Sequence, residues 1–369
     1  MSNAGQPPAF RAVGDGSKLC AATELYPEEL QLATRNKGMP LEALRYPITP
    51  TGLHYLLVHY DIPAVDAPAW QLTVAGQVNK ALRLSLDDIQ RRPKASVTVT
   101  MECTGNGRSL LSPRPISQPW VVEAIGTAEW AGTPLRGILE EAGVTARAVE
   151  ILFTGLDRGV EGGVVQNYQR SLSLEEATRD DVLLAYEMNG QPLQPQHGYP
   201  LRLVAPGWYG MANVKWLDRI EAIETPFDGY QMSAYRYAQS NDDEGERVRL
   251  MKVRALMIPP GIPDFLTRTR LVEPGPVTLK GRAWAGRTAV SRVELSTDAG
   301  ATWSDARLGE QTAPSAWREW SCQWKAEPGS YTLCARATDA QGNVQPLEQP
   351  WNVKGMGNNM VQRIEVVVA

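Results

Sequence analysis

Along residues 70–78, WQLTVAGQV, apolar and polar side chains alternate with the period of two that a half-buried strand needs. The period changes in SLDDIQRRP (85–93), where Ser85 stands at an N-cap position and Pro93 lies just past the end of a short helix. Val97 to Met101 then predicts a buried strand, which ends at Cys103 and a Gly-Asn-Gly turn. TPLRGILEEAGV (133–144) reads as an amphipathic helix, with Thr133 as its cap, Pro134 in the first helical position and Gly143 closing it. One more helix is predicted near Tyr26–Arg35, and strands at 149–154, 182–187 and 199–205 lie between loops rich in Gly, Gln and Asn. Residues up to about 235 therefore read as a mixed α+β domain with long loops.

Beyond about residue 248 the helical period is lost. GPVTLKGRAWAG, VSRVELSTDAGATW, REWSCQWKAEPGSYTLCARATD and RIEVVVA are short alternating strands, with turn residues roughly every ten positions. That spacing predicts an immunoglobulin-like β-sandwich. The fold class is α+β, divided into domains 1–247 and 248–369, with the Pro-rich MIPPGIPD (257–264) read as a linker.

Composition acts mainly by exclusion. A chain of 369 residues with 43% hydrophobic and 21% charged residues suits two globular domains. Lysine and arginine number 37 against 41 acidic residues, a formal charge of −4, so no basic field exists to hold nucleic acid or an anionic membrane. MSNAGQPPAFRAV lacks the profile of a secretory signal, and no apolar run reaches the ~18 residues of a membrane span. As given, the chain reads as cytoplasmic; removal of an export signal would make it periplasmic. The four cysteines form no CxxC, which excludes iron–sulfur, zinc-ribbon and haem-attachment patterns. Cys322 and Cys334 read as buried free thiols rather than a cross-strand pair.

Three stretches carry candidate chemistry. Cys103 is followed by turn backbone N–H groups and by Arg108, and both favour a thiolate, either a nucleophile or a soft metal ligand, over a packed thiol. His197, Arg202 and Lys215 fall within QPQHGYPLRLVAPGWYGMANVKW, among Pro and Gly turns, and suit a dianion such as a phosphate. No GxGxxG or GxxxxGK[ST] accompanies them, so an ordinary nucleotide cradle is not implied. Tyr230, Tyr235 and Tyr237 cluster with Arg236, either as packing residues or as proton donors.

MECTGNGRS, WAGTPLRGILEEAGV, LAYEMNGQPLQPQHGYPLRLVAPGWYGMANVKWLDRIE and the terminal STDAGATWSDARL with ATDAQGNVQPLEQPWNVKGMGNN together resemble the sulfite oxidase family of molybdenum enzymes. The likeness runs from about residue 46 to the end of the chain and lacks the family's haem-binding features. It implies a molybdopterin-binding domain followed by a dimerisation sandwich, no haem, and a homodimer. By this resemblance Cys103 is the thiolate ligand of molybdenum, while His59, His197, Arg202 and Lys215 hold the pterin and its phosphate. Arg108, Trp120 and Tyr235 match active-site residues, and Arg307 matches an arginine brought by the second domain.

The activity implied is oxygen-atom transfer on a small sulfur oxyanion, with electrons passed to an external acceptor, a cytochrome or oxygen. One position departs from the pattern: Leu57 stands where relatives active on sulfite carry an arginine. An aliphatic side chain has no bidentate fork for an oxyanion, a loss of about 1.5–3 kcal/mol. The same cofactor acting on a sulfane, an S- or N-oxide or nitrate is the alternative. A binding module without catalysis is the alternative of another class.

Overall fold

The computed structural model describes residues 19–21 and 24–369. The N-terminal stretch MSNAGQPPAFRAV lies outside the described residues. In chain order the first domain carries β1 (Gln71–Gly76), β2 (Leu82–Ser85), β3 (Ala95–Glu102), β4 (Ile125–Pro134), β5 (Glu150–Glu161), β6 (Val164–Ser173), β7 (Leu183–Met188), β8 (Arg202–Val204) and β9 (Leu217–Ile223). One five-stranded sheet runs β2-β1-β9-β5-β6, with β1 and β9 parallel. The other places β3 beside β4 and β4 beside β7, and both β8 and the short Gln191–Pro192 segment pair with β7. Three helices matter here: α1 (Pro27–Arg35), α2 (Leu86–Gln90) and α3 (Leu135–Ala142).

Local chemistry explains most element ends. The Ser85 side chain accepts from Asp88 N–H, and the Asp88 carboxylate accepts in return from Ser85 N–H, a closed capping box at the start of α2. Gly143 ends α3 at φ 66°, a left-handed turn that costs glycine little. Thr133 is not the cap that the sequence led us to expect. It is a strand residue paired with Leu184, so β4 runs directly into the helix and Pro134 takes the cap position. The sheet ladder outcompetes the side-chain cap. Likewise β5 runs past residue 154 to a Gly162–Gly163 turn and returns as β6, a hairpin arm that the sequence reading missed.

The second domain is a sandwich built from β10 (Arg254–Met257), β11 (Arg270–Val272), β12 (Gly275–Trp284), β13 (Val290–Ser296), β14 (Arg318–Ala326), β15 (Gly329–Asp339) and β16 (Gln362–Val368). A four-stranded sheet holds β10-β12-β14, and a six-stranded one holds β11-β16-β15-β13. Trp320, Leu279, Val293 and Leu333 fill the core between them. MIPPGIPD begins at the last residue of β10 and leads to Ile262–Pro263 in the opposite sheet, so it is a crossing inside the sandwich and not a linker. Cys322 and Cys334 are free and lie on different sheets; Cys334 is buried and Cys322 half-buried.

The two domains meet where it matters for the site. β3 is an edge strand, and the second domain covers it: Thr100 N–H donates to Ser315 O at 2.8 Å, and Trp317 N–H donates to Thr100 Oγ1 at 2.7 Å. Among the described residues no helix is long and apolar enough to cross a membrane.

Candidate active site

β3 ends at Glu102 and delivers Cys103 into a tight turn. Asn106 N–H closes on Cys103 O at 2.9 Å, and Gly107 continues at φ 88°. The Asn106 amide then ties the turn to the segment before β4, donating to Val122 O at 3.1 Å and accepting from Ala124 N–H at 3.1 Å. Cys103 N–H adds a bond of 2.9 Å to Ala124 O. The cysteine is thus held on a rigid scaffold, 7% exposed, in a small cluster with Trp120 and Ala124.

Two cavities meet at this cysteine, and Leu57, His59, Cys103 and Tyr235 line both. The inner one gathers His197, Arg202 and Lys215 from three separate elements. Arg202 lies on β8 beneath the Trp130 ring, 4.5 Å from its centroid, and Lys215 packs over Trp216 at 4.3 Å. Their hydrogen bonds go to neutral acceptors: Arg202 to the carbonyls of His197 at 3.0 Å and Asn213 at 3.2 Å and to Met101 Sδ at 3.8 Å, Lys215 to the carbonyls of Leu57 at 2.7 Å and Gln196 at 3.3 Å. Among the described residues no carboxylate forms an ion pair with either cation, and Arg202 Nε is buried without a partner. Burial pulls Arg202 down to about 10, and pulls Lys215 down further with Arg202 adding repulsion. Burial also pushes His197 down to about 2, helped by His54, Arg202 and Lys215, and His59 down to about 4. Asp157 lines the same cavity, and burial raises its carboxyl. The cavity therefore gathers two basic side chains whose hydrogen bonds end on neutral acceptors, with Asp157 attracting Lys215 from the same wall, a fit for an extended anionic group.

The outer cavity is lined by Arg108, Trp120, Glu161, Lys354 and Met356. Arg108 is buried; its Nη1 donates to Ser117 Oγ at 3.1 Å and Gln118 O at 3.3 Å, and its Nε has no partner. His59 Nε2 lies 2.9 Å from Tyr235 Oη at the boundary of the two spaces. The Cys103 thiol is raised, because burial outweighs the Arg108 guanidinium and the Gly105 backbone N–H that pull it down. The turn and Arg108 act in the direction expected from the sequence, but burial exceeds them.

The structure brings together His59, Cys103, Arg108, Trp120, His197, Arg202, Lys215 and Tyr235. It does not bring Arg307. That residue sits exposed on the short strand Arg307–Leu308, paired with Ser321 on the face of the sandwich, and lines neither cavity. The second-domain cation that does reach the outer cavity is Lys354, carried on the loop between Asn352 and Asn358. Lys354 falls inside the quoted WNVKGMGNN, where its charge beside two glycines was the signal that could have found it.

Comparison with known proteins bears on this geometry. Residues 59–231 match the family described as "Oxidoreductase molybdopterin binding domain", and residues 247–369 match "Mo-co oxidoreductase dimerisation domain". The chain is 36% identical over 345 residues to mouse mitochondrial sulfite oxidase, across 87% of this chain and 62% of that one, so it spans less than two thirds of that relative. It is 33% identical over 356 residues to the sulfite oxidase of Arabidopsis thaliana, across 86% of this chain and 87% of that one. The fold superposes on the sulfane dehydrogenase SoxCD of Paracoccus pantotrophus with a TM-score of 0.79 and 26% identity, covering 98% of this chain and 90% of that one. A molybdopterin-binding domain followed by a dimerisation domain, with this depth of identity along both, makes the chain an enzyme: it belongs to the sulfite oxidase family of molybdenum-cofactor oxidoreductases.

Proposed function

We propose that the inner cavity holds the pterin and phosphate of a molybdenum cofactor, that Cys103 is the protein's ligand to the metal, and that the outer cavity receives a small sulfur oxyanion. The observation that carries this reading is the place of Cys103, a soft ligand standing between basic side chains hydrogen-bonded only to neutral acceptors and a second cavity with its own buried arginine. Among the described residues no group of three His, Cys, Asp or Glu side chains is placed to hold a metal ion. When bound, the cofactor supplies two-electron oxygen-atom transfer.

The chain's own residues then have separable tasks. His197, Arg202 and Lys215 would hold the cofactor's anionic end, with His59 as a further contact to the pterin. Arg108 collects and orients the substrate anion, its guanidinium fixed by Ser117 and Gln118. Trp120 excludes water beside the sulfur, and burial keeps the Tyr235 phenol protonated as a donor. Electrons leave to a separate acceptor, a cytochrome or oxygen, and the second domain pairs two copies of the chain.

Protein purified from a host that makes the cofactor is expected to carry near-stoichiometric molybdenum, and Cys103→Ser to abolish turnover. A chain that purifies empty from such a host overturns the reading. One observation favours a second substrate class. Leu57 puts an aliphatic side chain at the junction where an oxyanion would want a cation, and the likeness to a sulfane dehydrogenase supports a sulfane in place of sulfite. S- or N-oxides and nitrate run the chemistry in the reducing direction. Steady-state rates on these compounds, with a cytochrome and an artificial acceptor, separate the classes.

A further inference from the structure

Next to the cysteine turn, and lining neither cavity, lies a buried ion pair that spans the two domains. Glu102 immediately precedes Cys103 and is 2% exposed. Its Oε1 accepts from Arg254 Nη1 at 2.6 Å and from Asn106 Nδ2 at 2.9 Å, and its Oε2 accepts from Trp284 Nε1 at 3.0 Å. Arg254 and Trp284 are register partners on β10 and β12, so one rung of the sandwich grips both oxygens of the carboxylate. The same Nη1 also donates to Asn358 O at 2.9 Å, and the Asn358 amide donates to Gly107 O at 2.7 Å. Gly357 N–H donates to Thr104 O at 2.7 Å, and Met356 Sδ lies 3.5 Å from Arg108 Nη2.

The second domain therefore bonds residues 102, 104, 107 and 108 of the turn that carries Cys103. Arg254, Trp284 and Asn358 line neither cavity, so whatever they do for the chemistry they do through that turn. A carboxylate placed there without partners would be an unpaired buried charge, which is strongly unfavourable. Its pairing is satisfied only when the sandwich is docked. The arrangement makes turn geometry depend on groups outside the cavities.

We infer that Glu102, gripped by Arg254 and Trp284, is a positioning residue for Cys103 and Arg108, and that the second domain is a working part of the site as well as a dimerisation module. The inference rests on the proposed role of Cys103 only where metal spectroscopy is used; the thiol measurement below stands without it.

The test uses the full-length chain with Trp284→Phe, which removes one donor to Glu102, and Asn358→Ala, which removes the donor to Gly107 O and the acceptor of Met360 N–H; both leave the ion pair in place. Cys103 is 7% exposed where the two cavities meet, so the rate at which a reagent captures its sulfur depends on how freely the turn moves, and loosening one tie to the turn should raise that rate about fivefold. Peptide-resolved alkylation of cofactor-free protein is expected to show Cys103 reacting about fivefold faster in both variants, with Cys322 unchanged as the internal reference. In metal-loaded protein the paramagnetic resonance g values of the one-electron-reduced centre are expected to shift, and Arg254→Lys to stay closer to wild type than Arg254→Met. If Arg254→Met does not fold, the two milder variants decide. Wild-type alkylation rates at Cys103, or equal acceleration at every cysteine, would overturn the inference. A chain without metal removes the spectroscopic arm alone, and so counts against the proposed function and not against the positioning role.

Discussion

At position 57 the side chain touches both cavities and packs on the Cys103–Trp120–Ala124 cluster, so a change there acts directly on what the outer cavity can hold. Leu57→Arg would add a charge-assisted contact of about 1.5–3 kcal/mol and is expected to tighten sulfite roughly ten- to hundredfold, read as KM in steady-state assays. Unchanged KM would show that the oxyanion is held elsewhere. The buried histidines have a different consequence. Burial holds His54 and His59 at about 4, so the folded chain refuses protons that the unfolded chain accepts below ~6.5. Their contribution to stability is complete above that value and is lost as pH falls towards 4. Linkage gives about 1–1.5 kcal/mol per histidine at pH ~5.5, so thermal melts of cofactor-free protein should drop between about pH 7.5 and about pH 5.5, and His54→Gln should flatten the drop. Cys103, His197, Arg202 and Lys215 drew notice in the sequence because each stands close to Gly or Pro turn residues, which the chain uses to bring them from separate elements to one cavity. Which of burial and charge governs the Cys103 thiol was not legible, since burial is a property of the packed molecule.

Among the elements, the pair of strands β4 and β7 bears directly on the site, because β4 holds the edge strand that ends at Cys103. Their register shifts between Ala131 and Gly132, and a Cβ on Gly132 would meet Leu184 O at 2.0 Å and Ala185 Cα at 2.6 Å. Gly132→Ala is expected to destabilise by about 1–3 kcal/mol through overpacking. Gly137, inside α3, has open space around it, and Gly137→Ala is expected to gain about 0.5–1 kcal/mol from helix propensity. Denaturant titration of the two variants checks both signs. Ser85 announced α2 correctly because its capping box is local. Thr133 misled because its rival, the ladder to Leu184, lies about 50 residues away in sequence, where local pattern carries no information. The β6 arm was missed for a similar reason: Val164 and Val165 are exposed, so the run shows little of the in–out alternation that marks a buried strand.

For the molecule as a whole, the sandwich was readable from strand spacing, and the resemblance pointed to a second-domain cation at the site, but it named Arg307 where Lys354 lines the outer cavity; MIPPGIPD looked like a linker and is an internal crossing. Sedimentation equilibrium is expected to return twice the chain mass of 40.6 kDa. A monomer at micromolar concentration would count against pairing through the second domain. The grip on Glu102 also bears on how this chain can be inherited. Arg254 and Trp284 lie in one domain and Glu102, which they grip, in the other, so the three residues are expected to be inherited together. Exchange of the second domain between relatives is expected to succeed only where position 102 is exchanged to match, and recombination at the domain boundary, usually the tolerant place, is here the place under constraint.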